Sequence, residues 1–237
     1  MHLRKVYIVQ GRFPTRKHYP FNLSVLRKTT ALDFQTPVTF FVGENGTGKS
    51  TLLKAVAVRS GVNIWQGERR IRYAANPYEE QLYRALDLEW SNGRVQGTYF
   101  DSQVFRNFAQ ILDDWAASDP GVLAYFGGKS LLQQSHGQSL MSFFHSRFKI
   151  EGLYVLDEPE TALSPKSQLE LLTLLKNAGH AGHAQFIIST HSPILLACPG
   201  SRIFSFDRPQ IKTVEYEQTD HYRIFKRFME ERTRFLR

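Results

Sequence analysis

The sequence predicts an α/β fold with a mainly parallel central sheet, and three observations carry that expectation. A glycine-rich loop, 43–50, stands between an apolar strand pattern and a helix pattern. Short apolar runs at 38–42, 153–156 and 186–189 read as strands buried on both faces, the mark of a parallel sheet. Helix-forming stretches alternate with these runs, as the crossovers of such a sheet require.

Val6 to Gln10 is the first expected strand, and Val38 to Val42, bounded by Pro37 and Gly43, the next. Ser50 to Arg59 has helix-forming composition. Ala85 to Trp90 and Arg94 to Phe100 flank Asn92-Gly93, a strong hairpin signal that predicts an antiparallel β arm. From Ser102 to Ala117 the apolar residues Val104, Phe105, Phe108, Ile111, Leu112 and Trp115 fall at helical spacing, ended by Asp119-Pro120-Gly121. With a second amphipathic stretch at 139–148 they make a small helical lobe.

Leu153 to Leu156 reads as a buried strand, and Pro165 to Asn177 as a helix capped by Ser164 with Pro165 as its first residue. Phe186 to Ser189, Arg202 to Phe206 and Ile211 to Tyr216 read as strands, and Tyr222 to Phe235 as a closing amphipathic helix. The expected organisation is one domain over 1–237, with a core from 1–100 and 151–237 and the helical lobe at 101–150.

With 237 residues and 42% hydrophobic content the chain can bury a sizeable core. No window approaches the roughly 20 apolar residues of a membrane span, and MHLRKVYIVQGRF holds too short an apolar stretch for a secretory signal. The lone cysteine, Cys198, reads as an apolar filler in a cytoplasmic protein, and the sequon Asn22-Leu23-Ser24 as a chance match. A formal charge of +8 suits a polyanionic partner such as DNA. The basic residues are nonetheless dispersed, with Arg69, Arg70 and Arg72 their densest internal group.

Gly43-Glu44-Asn45-Gly46-Thr47-Gly48-Lys49-Ser50 completes the phosphate-loop pattern GxxxxGK(S/T) between a strand and a helix. Glycines let such a loop turn its N–H groups toward phosphate oxygens, and the helix dipole adds to the attraction. Lys49 is expected at the β- and γ-phosphates of ATP, Ser50 on Mg²⁺, and Thr51 beside the α-phosphate. Gly128-Lys129-Ser130 repeats the ending, but Leu123 stands where the first glycine belongs, so it reads as a plain loop. Asp157 and Glu158 close the apolar strand from Gly152, at the sheet edge where α/β folds bind ligands. Asp157 suits a water-mediated hold on Mg²⁺, and Glu158 suits polarising the attacking water.

In this motif order the chain resembles the ABC-type ATPases, and among them the soluble branch of SMC, RecF and OLD heads. The nearest resemblance is to small stand-alone bacterial AAA-family, ABC-like ATPases. It implies a P-loop NTPase fold of the ABC ATPase head type over nearly the whole chain. Gln134-Ser135-His136-Gly137-Gln138 stands where that family has LSGGQ, with His136 for a glycine and Gln134 for a leucine. The resemblance implies that Ser135, Gly137 and Gln138 meet the γ-phosphate held by a second subunit, so that ATP binding closes a homodimer. Pro159 to Ser164 resembles the D-loop, with Ser164 for the commoner aspartate, and His191 in Thr190-His191-Ser192-Pro193 resembles the switch histidine. Gln103 stands for the Q-loop glutamine that senses Mg²⁺, with Gln96 as its competitor, and Tyr19 or Phe21 for the adenine-stacking aromatic.

Three functions fit: an ATPase of DNA maintenance or defence acting on DNA or a separate effector protein, a transporter's nucleotide-binding subunit with a membrane partner, and a non-catalytic nucleotide-binding module. Gln103 and Gln134 are only about 31 residues apart, which leaves no room for a long coiled coil between them. The short stretch after His191 is expected to hold no nuclease domain of the OLD kind.

Overall fold

The computed structural model describes residues 1–64, 76–102, 105–126 and 128–236. Gln103, Val104 and the Arg69, Arg70 and Arg72 group lie outside the described residues.

In chain order the elements are β1 (Leu3–Ile8), α1 (Ser24–Lys28), β2 (Ala31–Asp33), β3 (Val38–Val42), α2 (Lys49–Ser60), β4 (Asn63–Ile64), β5 (Leu86–Trp90) and β6 (Gly97–Asp101). There follow α3 (Phe105–Ser118), α4 (His136–Arg147), β7 (Gly152–Asp157), α5 (Pro165–His180), β8 (Ala184–Ser189), α6 (Pro193–Leu196), β9 (Arg202–Ser205), β10 (Lys212–Val214) and α7 (Asp220–Glu230).

Among the described residues, seven strands form the central sheet in the order β10-β9-β3-β8-β7-β6-β4, parallel throughout except for the terminal β9–β10 pair. Alternation along each strand feeds two cores. Phe40, Tyr154, Leu156, Phe186 and Ile188 face the core shared with α3, α4 and α5. Phe41, Leu153, Val155 and Ile187 face the core shared with α2 and the second sheet. Both faces are therefore covered, which explains the all-apolar runs in the sequence.

The second sheet is antiparallel, in the order β2-β1-β5. Here the sequence expectation is corrected. The runs around Asn92-Gly93 do not pair with each other: β5 pairs with β1, whereas β6 joins the central sheet parallel to β7. Gly93 still takes a positive φ of 91°, but the turn carries the chain from one sheet to the other. The cause is burial on both sides. Tyr99 and Phe100 feed opposite cores, and only the central sheet offers a core on each face.

Gln185 ties the two sheets. Fully buried in β8, its Oε1 accepts from the N–H groups of His2 (2.8 Å) and Leu3 (2.7 Å), and its Nε2 donates to the Leu3 carbonyl at 2.8 Å. A buried amide with these partners costs little, and it fixes where β1 starts.

The helical stretch packs through aromatic side chains. Phe144 of α4 meets Phe100 of β6 edge-on at 5.1 Å between centroids and stacks on Phe148 at 5.1 Å. Ser130 of the second GKS donates to Asp113 of α3, a tie within the helical stretch. Cys198 is buried in the same core, and burial pushes its thiol up to about 11. Among the described residues no helix is long and apolar enough to cross a membrane. Phe144→Ala is expected to lower the unfolding free energy by about 3–5 kcal/mol, through lost contacts and the cavity left behind. Urea unfolding followed by far-UV circular dichroism measures it.

Candidate functional site

Parallel register sets the site's location. Val42 lies opposite Ser205, Phe41 opposite Ser189, and Ser189 opposite Asp157. The carboxyl ends of β9, β3, β8 and β7 thus stand in one row, and the loops leaving them meet above it.

The glycine loop leaves β3 and enters α2. Gly48 has φ +100°, a conformation that favours glycine, and a Cβ there would stand 2.8 Å from Leu23 Cδ1, which would have to move aside. Lys49 is buried, and its Nζ donates to the carbonyls of Gly43 at 2.6 Å and Glu44 at 3.0 Å. Two of its three donors are thereby used and one is left for an anion in the loop. Burial lowers the pKa of Lys49, opposed by the charges of Glu158, Asp207, Asp157 and Glu44. Thr47 Oγ1 donates to the Glu44 carbonyl at 2.8 Å, and the Glu44 N–H donates to Asp207 Oδ1 at 2.8 Å. Asp207 was not anticipated from the sequence; its signal is an acid just beyond a strand end, at the same edge as Asp157.

Asp157 gathers three segments. Its Oδ1 accepts from Ser50 Oγ at 3.0 Å and from Ser189 Oγ, and its Oδ2 accepts from the Tyr99 hydroxyl at 3.3 Å. Burial raises its pKa, and the Ser189 and Ser50 hydrogen bonds oppose that rise. Burial and the neighbouring Asp157 push the Tyr99 phenol far above its ordinary value, so it stays a donor. A serine hydroxyl beside a carboxylate is a hard-oxygen pair of the kind Mg²⁺ takes. No group of three or more His, Cys, Asp or Glu able to hold a metal occurs among the described residues. A cation at Ser50 and Asp157 would complete its shell with phosphate and water oxygens, as Mg²⁺ commonly does.

Glu158 is the one non-glycine residue with positive φ among the described residues, at +47°. Such a conformation costs about 1–3 kcal/mol and marks functional sites. Its N–H donates to the Ser189 carbonyl at 3.1 Å, and its Oε1 stands 3.8 Å from His191 Nε2. The N–H of His191 donates to Glu160 Oε1 at 2.7 Å, whereas Glu160 Oε2 is buried and finds no hydrogen-bond partner among the described residues. Burial raises the pKa of Glu160. Burial lowers that of His191, with Lys49 adding to the effect, and His191 Nδ1 shares a 3.0 Å hydrogen bond with His221 Nε2. Glu160 falls in the D-loop-like run, but its contact with His191 went unread, as did Ser189, Tyr99 and His221, because only folding makes these contacts.

Lys49, Ser50, Asp157, Glu158 and His191 are thus brought together, but Ser135, Gly137 and Gln138 belong to the helical stretch. Ser135 caps α4: its Oγ accepts from the Gln138 N–H at 3.4 Å, and Gln138 Oε1 accepts from the Ser135 N–H at 3.1 Å. This Ser-x-x-Gln capping box was legible but unread. A Cβ on Gly137 would lie 3.0 Å from the Ala162 carbonyl, which sets this segment against the stretch after Glu158. Gln103 lies outside the described residues. The carbonyl of Gln96 accepts from the Leu153 N–H at 2.9 Å, at the amino end of β6, away from Asp101 and the row of strand ends.

The Tyr19 hydroxyl shares a hydrogen bond with Thr51 Oγ1, and the Tyr19 carbonyl accepts from Asn76 Nδ2 at 2.7 Å, which puts Tyr19 beside the first turn of α2. Phe21 is fully buried against Phe13, so its ring is core and is corrected as a stacking alternative. Glu158→Asn keeps a residue type that tolerates positive φ and removes a negative charge from beside Asp157. It is expected to raise the melting temperature by about 2–4 °C, for a gain of about 1 kcal/mol, as read by differential scanning calorimetry.

Residues 121–197 match the family described as "AAA domain, putative AbiEii toxin, Type IV TA system", and residues 20–58 match one described as "AAA domain". A protein of Methanocaldococcus jannaschii named "Putative ABC transporter ATP-binding protein" is 22% identical over 214 aligned residues, covering 81% of this chain and 74% of that one. The solved structure described as "An inward-facing conformation of a putative metal-chelate type ABC transporter" aligns with TM-score 0.51 and 14% identity, over 95% of this chain and 88% of that one. That likeness is one of fold. The SMC head domain from Thermotoga maritima aligns with TM-score 0.49 and 16% identity, over 91% of this chain and 99% of that one. The two AAA-domain matches and the ABC-type relative support an ABC-type ATPase of the AAA-like branch.

Proposed function

We propose that the chain binds and hydrolyses Mg²⁺–ATP and works as a nucleotide-dependent dimerisation switch in DNA maintenance or defence. The observation that carries this reading is the convergence at one sheet edge: Ser50 Oγ 3.0 Å from Asp157 Oδ1, with Glu158 Oε1 3.8 Å from His191 Nε2.

In this reading the loop from Gly43 to Ser50 cradles the triphosphate by its backbone N–H groups, Lys49 binds the β- and γ-phosphates, and Thr51 lies near the α-phosphate. Ser50 and Asp157 hold the magnesium, with Gln103 sensing it, and the ion when bound neutralises phosphate charge. Glu158 orients and polarises the attacking water, while His191 donates to the γ-phosphate. Tyr19 borders the nucleotide through Thr51. Ser135, Gly137 and Gln138 of one subunit meet the γ-phosphate held by its partner, where the exposed start of α4 offers N–H groups and a helix dipole. Residues 1–100 and 151–237 then act as the nucleotide-binding core, and 101–150 as the lobe that reaches the second subunit.

The match over 121–197 to a family described in toxin–antitoxin terms, together with the charge of +8, supports a role in defence or DNA maintenance, for which the cytoplasm is the proposed compartment. The second reading, a transporter's nucleotide-binding subunit, is favoured by the name of the Methanocaldococcus relative. DNA binding whose affinity falls steeply with salt supports the first reading. Absence of DNA binding at low salt, with co-purification of an integral membrane protein, supports the second. Measurable ATP turnover excludes a purely binding module. Glu158→Gln with Mg²⁺–ATP is expected to run in light scattering at twice the 27.3 kDa of the chain, with turnover reduced at least about 100-fold. A variant that stays monomeric and hydrolyses at the wild-type rate overturns the proposal.

A further inference from the structure

The first turn of α7 puts a second histidine against His191. His221 Nε2 stands 3.0 Å from His191 Nδ1, with ring centroids 5.1 Å apart. The other nitrogen of His191, Nε2, is buried with no hydrogen-bond partner among the described residues, 3.8 Å from Glu158 Oε1. These contacts select one tautomer. A lone pair on Nε2 would face the Glu158 carboxylate and be repelled, whereas an N–H there is attracted. With the proton on Nε2, Nδ1 is an acceptor, and the shared hydrogen bond must be donated by His221 Nε2–H. Both rings have pKa values lowered from the ordinary histidine value, chiefly by burial. The charges around the pair are Lys49, Glu44, Glu158 and Asp207. At neutral pH each ring therefore carries one proton, and the pair can hold this single arrangement.

We propose that His221 is a positioning residue: its Nε2–H donates to His191 Nδ1 and holds His191 as the Nε2–H tautomer, with a donor aimed at the Glu158 side of the site. This deepens the proposed function, since it rests on His191 acting at the γ-phosphate. It gives α7 a part in the site that composition and motif order do not suggest. Where a histidine is a metal ligand, an outer partner that fixes its tautomer is worth roughly tenfold or more in affinity or activity, and a similar effect is expected here.

The test combines tautomer and turnover. Long-range ¹H–¹⁵N correlation spectra of the wild-type chain at pH 7.5 are expected to show Nε2–H on both His191 and His221. In His221→Ala the His191 signals are expected to move toward a mixture of tautomers. Its ATPase kcat is expected to fall roughly tenfold with KM within about twofold, since Lys49 and the loop still bind nucleotide. His221→Gln, whose amide N–H can donate in the same direction, is expected to recover most of the rate. An Nδ1–H tautomer of His191 in the wild type, or wild-type turnover by His221→Ala with unmoved His191 signals, overturns the proposal; the first outcome needs no variant to fold. Wild-type turnover by His191→Ala instead removes the switch reading of His191, and the tautomer spectra then decide the His221 assignment on their own.

Discussion

The contact on which the site depends is the one among Ser50, Asp157, Ser189 and Tyr99. It joins the first turn of α2 to the ends of β7 and β8 and to β6, four segments drawn from 50 to 189 in the chain. A carboxylate buried this deeply is costly, and three hydroxyl donors offset much of that cost. The arrangement is possible because the strands are parallel and in register, so that Asp157 and Ser189 end side by side. An antiparallel neighbour would bring a strand start to that position and leave the carboxylate with fewer donors. Fold and site are linked through this one row of strand ends.

Around that node the molecule carries several features that burial alone would disfavour. Glu158 holds a backbone conformation suited to glycine or asparagine, Glu160 has a buried oxygen with no hydrogen-bond partner among the described residues, and Lys49 is an ammonium buried within its own loop. Each is a group set in position at some cost in stability. They cluster within a few residues of the strand ends, while the two cores beneath are apolar. A rigid sheet holding a strained, charged edge fits a site whose polar groups are oriented in advance of ligand binding.

The fold class was legible because the local signals and the global arrangement agree. Val38 to Val42 is an all-apolar strand between a proline and a glycine, and the structure begins and ends it at those residues. The helix at Pro165 starts where Ser164 and the proline predict, with Ser164 Oγ accepting from the Ser167 N–H at 3.2 Å. Asn92-Gly93 misled for a physical reason: a turn dipeptide fixes the local bend but not the partner of the strand that follows. That partner was decided by Tyr99 and Phe100, which need a core on each face. In the site, the loop from Gly43 and the Asp157-Glu158 pair were readable because their chemistry requires contiguous residues. Asp207, Ser189, Tyr99 and His221 were not, since each acts through a contact across 30 or more positions and has no motif of its own. Gln185 is the same case in the core, an isolated polar residue in an apolar run whose meaning lies in the backbone of His2 and Leu3.

The central claim is that a magnesium-bound triphosphate rests between the glycine loop and the Asp157 edge. Isothermal titration of ATP into the wild-type chain and into Asp157→Ala, each with Mg²⁺ and with EDTA, tests it most directly. The account predicts saturable binding by the wild type that Mg²⁺ strengthens, and binding by Asp157→Ala on which Mg²⁺ has little effect. Wild-type protein that takes up no ATP, or an equal magnesium effect in both proteins, would contradict it.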